Sequence, residues 1–351
     1  MRRLKLVFRP WWDENPYQSL LADSLNPLGI RIDSAARWAE IDFLHRPDVV
    51  HLHWLHPIFI APSFRKSLTN VAKFFIGLIV LRLLGTKIVW TAHNLKDHDN
   101  HSPLMDRLCT GLVVHLAHGV IAHGETARQT IIRTFHPWNP NKIFVVPHGN
   151  YIECYDNTIS PTQARHQLGL PESDVVFLFL GAIRPYKGVL ELIAAFRQLN
   201  CPTATLVIAG KPFDQDTSEQ IEQAIADQPT IKFIPGFVPD EQIQVYMNAC
   251  DVTVFPYRNI LTSGSVLLAM SFGRACIAPR QGCITETLDE SGALLYDPDE
   301  NSGLLNAMKQ AVQRRSELSQ MGSHNRQQAE AWSWNRIAQL TFDVYRNCMH
   351  R

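Results

Sequence analysis

The stretch "VVFLFLGAIRPYKGVLELIAAF", residues 175–196, decides how the rest of the chain is read. Its opening apolar run does not alternate, so it reads as a strand covered on both faces, as in a parallel sheet. The run ends at Gly181, turns through Arg184, Pro185 and Lys187, and resumes at Gly188 as a helix over Val189–Leu199. Strand, short turn and helix in this order make a βα unit, and a series of such units predicts a parallel sheet between layers of helices.

The same rhythm extends in both directions. "TLVIAG" (205–210), "IKFIPG" (231–236), "VTVFPY" (252–257) and "ACIAP" (275–279) read as further buried strands, with helices such as Asp240–Ala249 between them. Towards the N-terminus the expected strands are Leu4–Phe8, Val49–His51, Lys87–Thr91, Gly119–Ala122 and Ile143–Val146. Helices are expected over Pro103–Ala117 and Glu125–Phe135. The polar segment "ECYDNTISPTQARHQLGLPESD" (153–174) interrupts the pattern as a connector would. The chain closes in helical sequence, with Ser333 placed to cap the last helix. A length of 351 residues is more than one core usually holds, so two domains are expected. The fold class is therefore α/β, with two doubly wound parallel-sheet domains and a helical tail.

Composition narrows the function. The 33 basic and 33 acidic side chains cancel, which speaks against a nucleic-acid binder driven by bulk charge. Seven scattered cysteines without a C-x-x-C pair suggest reduced thiols in a cytoplasmic setting, not a disulfide framework or a zinc site. "MRRLKLVFRPWW" reads as a first strand and not as a signal peptide. In residues 64–87 the apolar run Phe74–Leu84 is too short to span a bilayer. It predicts a helix buried on a sheet or, with Arg65, Lys66, Lys73, Arg82 and Lys87, an interfacial helix on the inner face of a membrane.

Ligands of doubly wound sheets bind beyond the carboxyl ends of the strands, so the loops there carry the chemistry. In "GAIRPYKG", Arg184 and Lys187 precede a helix N-terminus, a combination suited to a phosphate or diphosphate. In "LTSGSV", Thr262, Ser263, Gly264 and Ser265 offer hydroxyls and amides, although such residues also cap helices everywhere. Gly181 opens the first of these turns, and Gly236, Phe237 and His148 stand in other strand-end loops and join the candidate ligand-binding residues. The first half is rich in histidine, including His51, His53, His56, His93, His98, His101, His123 and His148. No metal is expected, because neither "HLHWLH" nor "DHDNH" has the paired spacing of a zinc motif. His93, at a strand end in "WTAHN", is the candidate base, with Asp97 or His53 as alternatives.

Taken together, "VVPHGN", "FLGAIRPYKGVLELIAAF", "LVIAG", "IKFIPGFVPDEQIQVYMNACDVTVFPY", "LLAMSFGRACIAP" and "AWSWNRIA" resemble the nucleotide-sugar glycosyltransferases of the GT-B fold. They look closest to glycosyltransferase family 4 and its bacterial polysaccharide-forming relatives. The resemblance spans about two thirds of the chain and is strongest from 143 to 279. It implies two Rossmann-like domains facing a cleft, with the acceptor on residues 1–155 and the sugar nucleotide on 156–328. It also implies a last helix, within 329–351, that returns to the first domain. No cofactor is implied, and catalysis would be metal-independent, with Arg184 and Lys187 neutralising the departing diphosphate. Two departures stand out. The arginine that commonly follows the first loop's glycine is displaced, leaving Ala182 there. The family's paired glutamates would fall near Ile260 and Leu268, so retaining stereochemistry does not carry over, and Glu286 is the nearest substitute carboxylate. The expected activity is hexosyl transfer from a nucleoside-diphosphate sugar to a lipid-linked or polysaccharide acceptor. The alternative is a silent sugar-nucleotide or glycan-binding protein. A dehydrogenase is disfavoured, since "FRPWWDENP" stands where a G-x-G-x-x-G would follow the first strand.

Overall fold

The computed structural model describes residues 4–12, 15–35, 40–41, 46–59, 63–95 and 102–350. The chain divides into two compact units, Met1–Gly149 with Trp332–Arg351, and Asn150–Ala331.

The first unit is built on a parallel six-stranded sheet of β1 (Leu4–Arg9), β2 (Ile30–Ser34), β3 (Val49–Leu52), β4 (Lys87–Thr91), β5 (Gly119–Ala122) and β6 (Ile143–Val145), in the order β2-β1-β3-β4-β5-β6. Its helices are α1 (Pro16–Leu25), α2 (His56–Phe59), α3 (Phe64–Leu83), α4 (Pro103–Leu116) and α5 (Glu125–Phe135). The strands β3 and β5 are buried at every position, as expected for strands covered on both faces, with His51 the one polar side chain of β3. β2 escapes such a reading because it is an edge strand, "IRIDS", with its polar positions turned to solvent.

The second unit repeats the plan. After α6 (Pro161–Leu168) come β7 (Val175–Leu180), α7 (Val189–Leu199), β8 (Ala204–Gly210), α8 (Gln215–Ile225), β9 (Ile231–Pro235), α9 (Asp240–Ala249) and β10 (Val252–Val254). Then follow α10 (Gly264–Ser271), β11 (Ala275–Pro279), α11 (Ile284–Thr287), β12 (Ala293–Tyr296), α12 (Gly303–Gln313) and α13 (Leu318–Glu330). The sheet runs β12-β11-β10-β7-β8-β9, all parallel. The segment read as a connector contains α6, which is well specified locally. Ser160 and Gln163 form a reciprocal capping box, Pro161 opens the helix, and Gly169 closes it in the left-handed conformation. β10 stops earlier than the apolar run suggests, because Pro256 has no N–H to continue the ladder.

The last helix, α14 (Trp334–Met349), completes the first unit, where it packs on α1, β4 and β5. Ser333 stands at its N-cap position, but its side chain makes no capping hydrogen bond. The approach is so close that a Cβ on Gly149 would come within 2.4 Å of the Trp334 ring. Ile337, Ala338, Val344, Tyr345 and Cys348 are buried in the same core as Leu6, Phe8, Val49 and Ile121.

Each sheet winds outward in two directions from a central pair, β1 and β3 in the first unit and β7 and β10 in the second. The crevice above such a pair is where doubly wound folds hold ligands.

Candidate functional site

In the second unit the two suspected turns leave the central pair, one from β7 and one from β10. Gly188 is the hinge of their approach. Its φ is +68°, and a Cβ there would lie 2.0 Å from the Pro256 carbonyl oxygen, so only glycine lets the Arg184–Lys187 turn close against the chain leaving β10. Gly181 shows where the turns meet. A Cβ built on its bare face would be 3.8 Å from Lys187 Nζ and 3.8 Å from Ser265 Oγ. The ammonium of one turn and the hydroxyl of the other therefore converge on a single side-chain-free spot.

The charge at this spot is positive. Burial and then the neighbouring Arg184 push the Lys187 ammonium down to about 8. Lys187 Nζ has no hydrogen bond or ion pair among the described residues. Arg184 is steadied by stacking its guanidinium 5.2 Å from the Phe213 ring centre and by donating to the Ile183 carbonyl at 3.1 Å. Ser263 is the N-cap of α10, accepting from Val266 N–H at 3.3 Å, and its Oγ lies 3.2 Å from Tyr257 Oη. Gly264 and Ser265 are the first residues of α10, while Thr262 immediately precedes its cap. Gly236 follows β9 with φ +131° and open space on its bare face, and Phe237 beside it is 73% exposed. Glu286 is exposed in the first turn of α11. The positions matching the missing glutamates hold core side chains, with Ile260 buried and Leu268 packed on the second core.

In the first unit the histidines gather from separate strand ends around Tyr17. The rings of His53, His93, His123 and His148 lie 4.7–5.8 Å from the Tyr17 ring. His93 is stacked on Trp54 at 4.3 Å, with Nε2 3.2 Å from His53 Nδ1 and Nδ1 3.4 Å from His123 Nε2. Both nitrogens of His93 thus face other imidazoles, a poor arrangement for taking a substrate proton. Burial, and then the neighbouring imidazoles, hold His53 and His93 well below the usual histidine range. Burial, then the charge His123 would carry, brings His51 to about 3. The same two causes bring His148 to about 3. His123 is held to about 4 by burial, opposed by its hydrogen bond to the Val146 carbonyl. His51 is locked further in, 2.7 Å from Tyr345 Oη and 2.7 Å from Thr91 Oγ1. His148, expected among the donor contacts, belongs to this cluster and lies beside Trp334 of α14. Asp97 falls in 96–101, outside the described residues. Among the described residues no group of three or more His, Cys, Asp or Glu could hold a metal ion.

Residues 174–314, which contain both turns, match the family model described as "Glycosyl transferases group 1". Over 98% of this chain and 92% of the relative, the sequence is 28% identical to a GDP-mannose:glycolipid 4-beta-D-mannosyltransferase of Xanthomonas campestris pv. campestris. The protein is a GT-B glycosyltransferase. A D-inositol 3-phosphate glycosyltransferase of Corynebacterium glutamicum is 24% identical over 78% of this chain and 70% of its own length. Among solved structures, sucrose-phosphate synthase of Thermosynechococcus elongatus shares the glycosyltransferase's fold with a TM-score of 0.77, at 20% identity and 98% coverage of both chains. HepE of Anabaena, in complex with UDP, gives 0.75 at 18% identity, covering 97% of this chain and 98% of that one.

Three features of this glycosyltransferase were not named from sequence. Tyr257 is pushed up to about 12 by burial, and its hydrogen bonds to Ser263 and Ser265 work in the opposite direction. Tyr17 centres the histidine cluster. The third is a buried contact between His56 and Asp106, Nδ1 to Oδ1 2.5 Å. A strand-end position was the available signal for His56, which lies just beyond β3. For Asp106 there was none, because its partner is 50 residues away.

Proposed function

We propose that this glycosyltransferase moves a hexosyl unit from a nucleoside-diphosphate sugar to a glycolipid acceptor at the surface of an anionic membrane, without a metal ion. The observation that carries the reading is the convergence of Lys187 Nζ and Ser265 Oγ on the bare face of Gly181. A diphosphate placed there meets a fixed cation and a hydroxyl, and the negative charge that grows as it departs is stabilised most. The relative named for GDP-mannose and a glycolipid supports the same donor and acceptor classes. We further propose transfer with inversion. Apolar residues replace the paired glutamates, and the relative is named for a β-linkage, which an α-linked donor yields by a single displacement. The test is nucleoside diphosphate release from GDP-mannose and UDP-glucose with octyl glucoside as surrogate acceptor, with and without EDTA, followed by NMR of the product's anomeric configuration. Release that needs an added metal, or retention of configuration, would overturn the corresponding part.

The membrane element rests on the first unit. In α3, Phe74, Leu78 and Leu81 are buried, so the buried-helix expectation holds for that face. The opposite face exposes Leu68, Ile76, Ile79, Val80 and Leu83, the last 81% exposed. α4 exposes Leu104, Leu108 and Leu112, one helical turn apart, and its C-terminal end is tied to α3 by Arg82 donating to the Leu116 carbonyl at 2.6 Å. Arg65, Lys66, Lys73, Arg82 and Arg107 are exposed on the same two helices, whose single carboxylate, Asp106, is buried. Apolar stripes bordered only by cations suit a bilayer with anionic headgroups. Among the described residues no helix is long and apolar enough to cross a membrane. The protein is expected to sediment with vesicles containing phosphatidylglycerol at low salt and to release partly at high salt. Leu83→Glu with Leu108→Glu should abolish sedimentation. Equal binding to neutral phosphatidylcholine vesicles would remove the charge argument, and unchanged binding of the double variant would remove the surface.

A further inference from the structure

Beyond β3 the chain passes His53, Trp54 and Leu55 and opens α2 with His56. His56 Nδ1 lies 2.5 Å from Oδ1 of Asp106, in the first turn of α4. The two residues follow neighbouring strands, β3 and β4, so the pair sits at the carboxyl edge of the sheet and next to its central pair β1–β3. That edge is where a ligand of this unit is expected. Both side chains are largely enclosed, at 9% and 3% exposure.

The pair differs from the histidine cluster in one decisive way. A carboxylate on Nδ1 accepts its hydrogen and so leaves the lone pair on Nε2. His56 Nε2 makes no hydrogen bond among the described residues. His93 has both nitrogens against imidazoles, whereas His56 has one nitrogen anchored on a carboxylate and one without a hydrogen bond among the described residues.

We propose that His56 is the general base of the transfer and that Asp106 is its positioning residue, an assignment that rests on the inverting displacement proposed above. His56 Nε2 takes the proton of the acceptor hydroxyl as the hydroxyl oxygen donates an electron pair to the anomeric carbon. The bond from that carbon to the diphosphate oxygen breaks, and its electron pair leaves on the nucleoside diphosphate. The imidazolium that forms is held by the Asp106 carboxylate until it passes the proton to water.

The test uses the full chain with GDP-mannose or UDP-glucose and octyl glucoside. His56→Ala and His56→Gln are expected to lower kcat about a hundredfold or more, as loss of a general base does. Asp106→Asn should lower kcat at least about tenfold while leaving the donor KM within about threefold. Added imidazole should restore part of the activity of His56→Ala and none of that of Asp106→Asn. Calorimetric binding of GDP or UDP and the melting temperature should match wild type in His56→Gln, which separates chemistry from folding. If His56→Gln keeps more than about a third of kcat, or if its nucleotide binding falls with its turnover, the assignment is overturned. Wild-type protein that transfers with retention, or releases nothing from either donor, would overturn the underlying reading and this assignment with it. Normal inverting transfer by the His56 variants would remove the assignment alone.

Discussion

Lys187→Ala is expected to reduce kcat/KM for the sugar nucleotide by about a hundredfold to a thousandfold, the range seen when one preorganised charge partner of a transition state is removed. The effect should fall mainly on kcat, because charge on the diphosphate is greatest as its bond to the sugar breaks. The ammonium is poised for this role by its surroundings. Burial, and then the neighbouring Arg184, loosen its proton, which titrates at about 8. In the free enzyme kcat/KM should therefore decline as pH rises through about 8, since the neutral amine no longer attracts phosphate. Lys187→Arg should flatten that decline by keeping its charge, even with a lower rate. Turnover by Lys187→Ala within threefold of wild type would show that the diphosphate does not bind against this turn.

The second large effect is on stability. His51, His123 and His148 titrate at about 3, about 4 and about 3 in the folded chain, and His53 and His93 also lie well below 6.5. In the unfolded chain each titrates near 6.5, so below that pH the unfolded state binds more protons than the folded state. Stability is thus fully present above about pH 7 and is lost as pH falls from 6.5 towards 4. Each imidazole that stays neutral removes about 2 kcal/mol between pH 7 and pH 5. Five such groups acting together would consume about the whole stability of an ordinary domain. The melting temperature should drop steeply between pH 6.5 and pH 5, with the first unit's transition moving ahead of the second's. A melting curve of wild type unchanged across that interval would show that the rings are not neutral and buried as described. Replacing His51 by Gln should soften the pH dependence while lowering stability at pH 7, because Tyr345 and Thr91 would lose an ideally placed partner.

Much of the fold was legible because its strands are buried on both faces. β4, β5 and β11 and helices α5, α7 and α9 begin and end where their apolar runs and turn residues predict. The edge strand β2 was not, since its five residues "IRIDS" hold only two apolar side chains and form no apolar run. The position of the Arg184–Lys187 turn was legible for a local reason. Gly181, Arg184, Lys187 and Gly188 are contiguous, and their strand-end position is visible in the sequence. That Ser265 would meet Lys187 depends on β7 and β10 being neighbours, a fact of sheet order that no local pattern encodes. The histidines show the same limit more sharply. Sequence places His53, His93, His123 and His148 beyond strand ends, yet not that Tyr17 and Trp334 would close around them. Burial by those rings turns a plausible base into a neutral, enclosed imidazole, and leaves the better-placed nitrogen on His56.

The return of α14 to the first unit sets an order on how the protein comes into being. Residues 1–149 are made before α14, so their core lacks Ile337, Ala338, Val344, Tyr345 and Cys348 until that helix has been synthesised. The second unit, whose chain is continuous from Asn150 to Ala331, can close as soon as it emerges. Of the two units, the one begun earlier is thus completed after the other. A chain stopped before Trp334 thus carries a complete second unit tethered to a first unit whose apolar core lacks the side chains of α14.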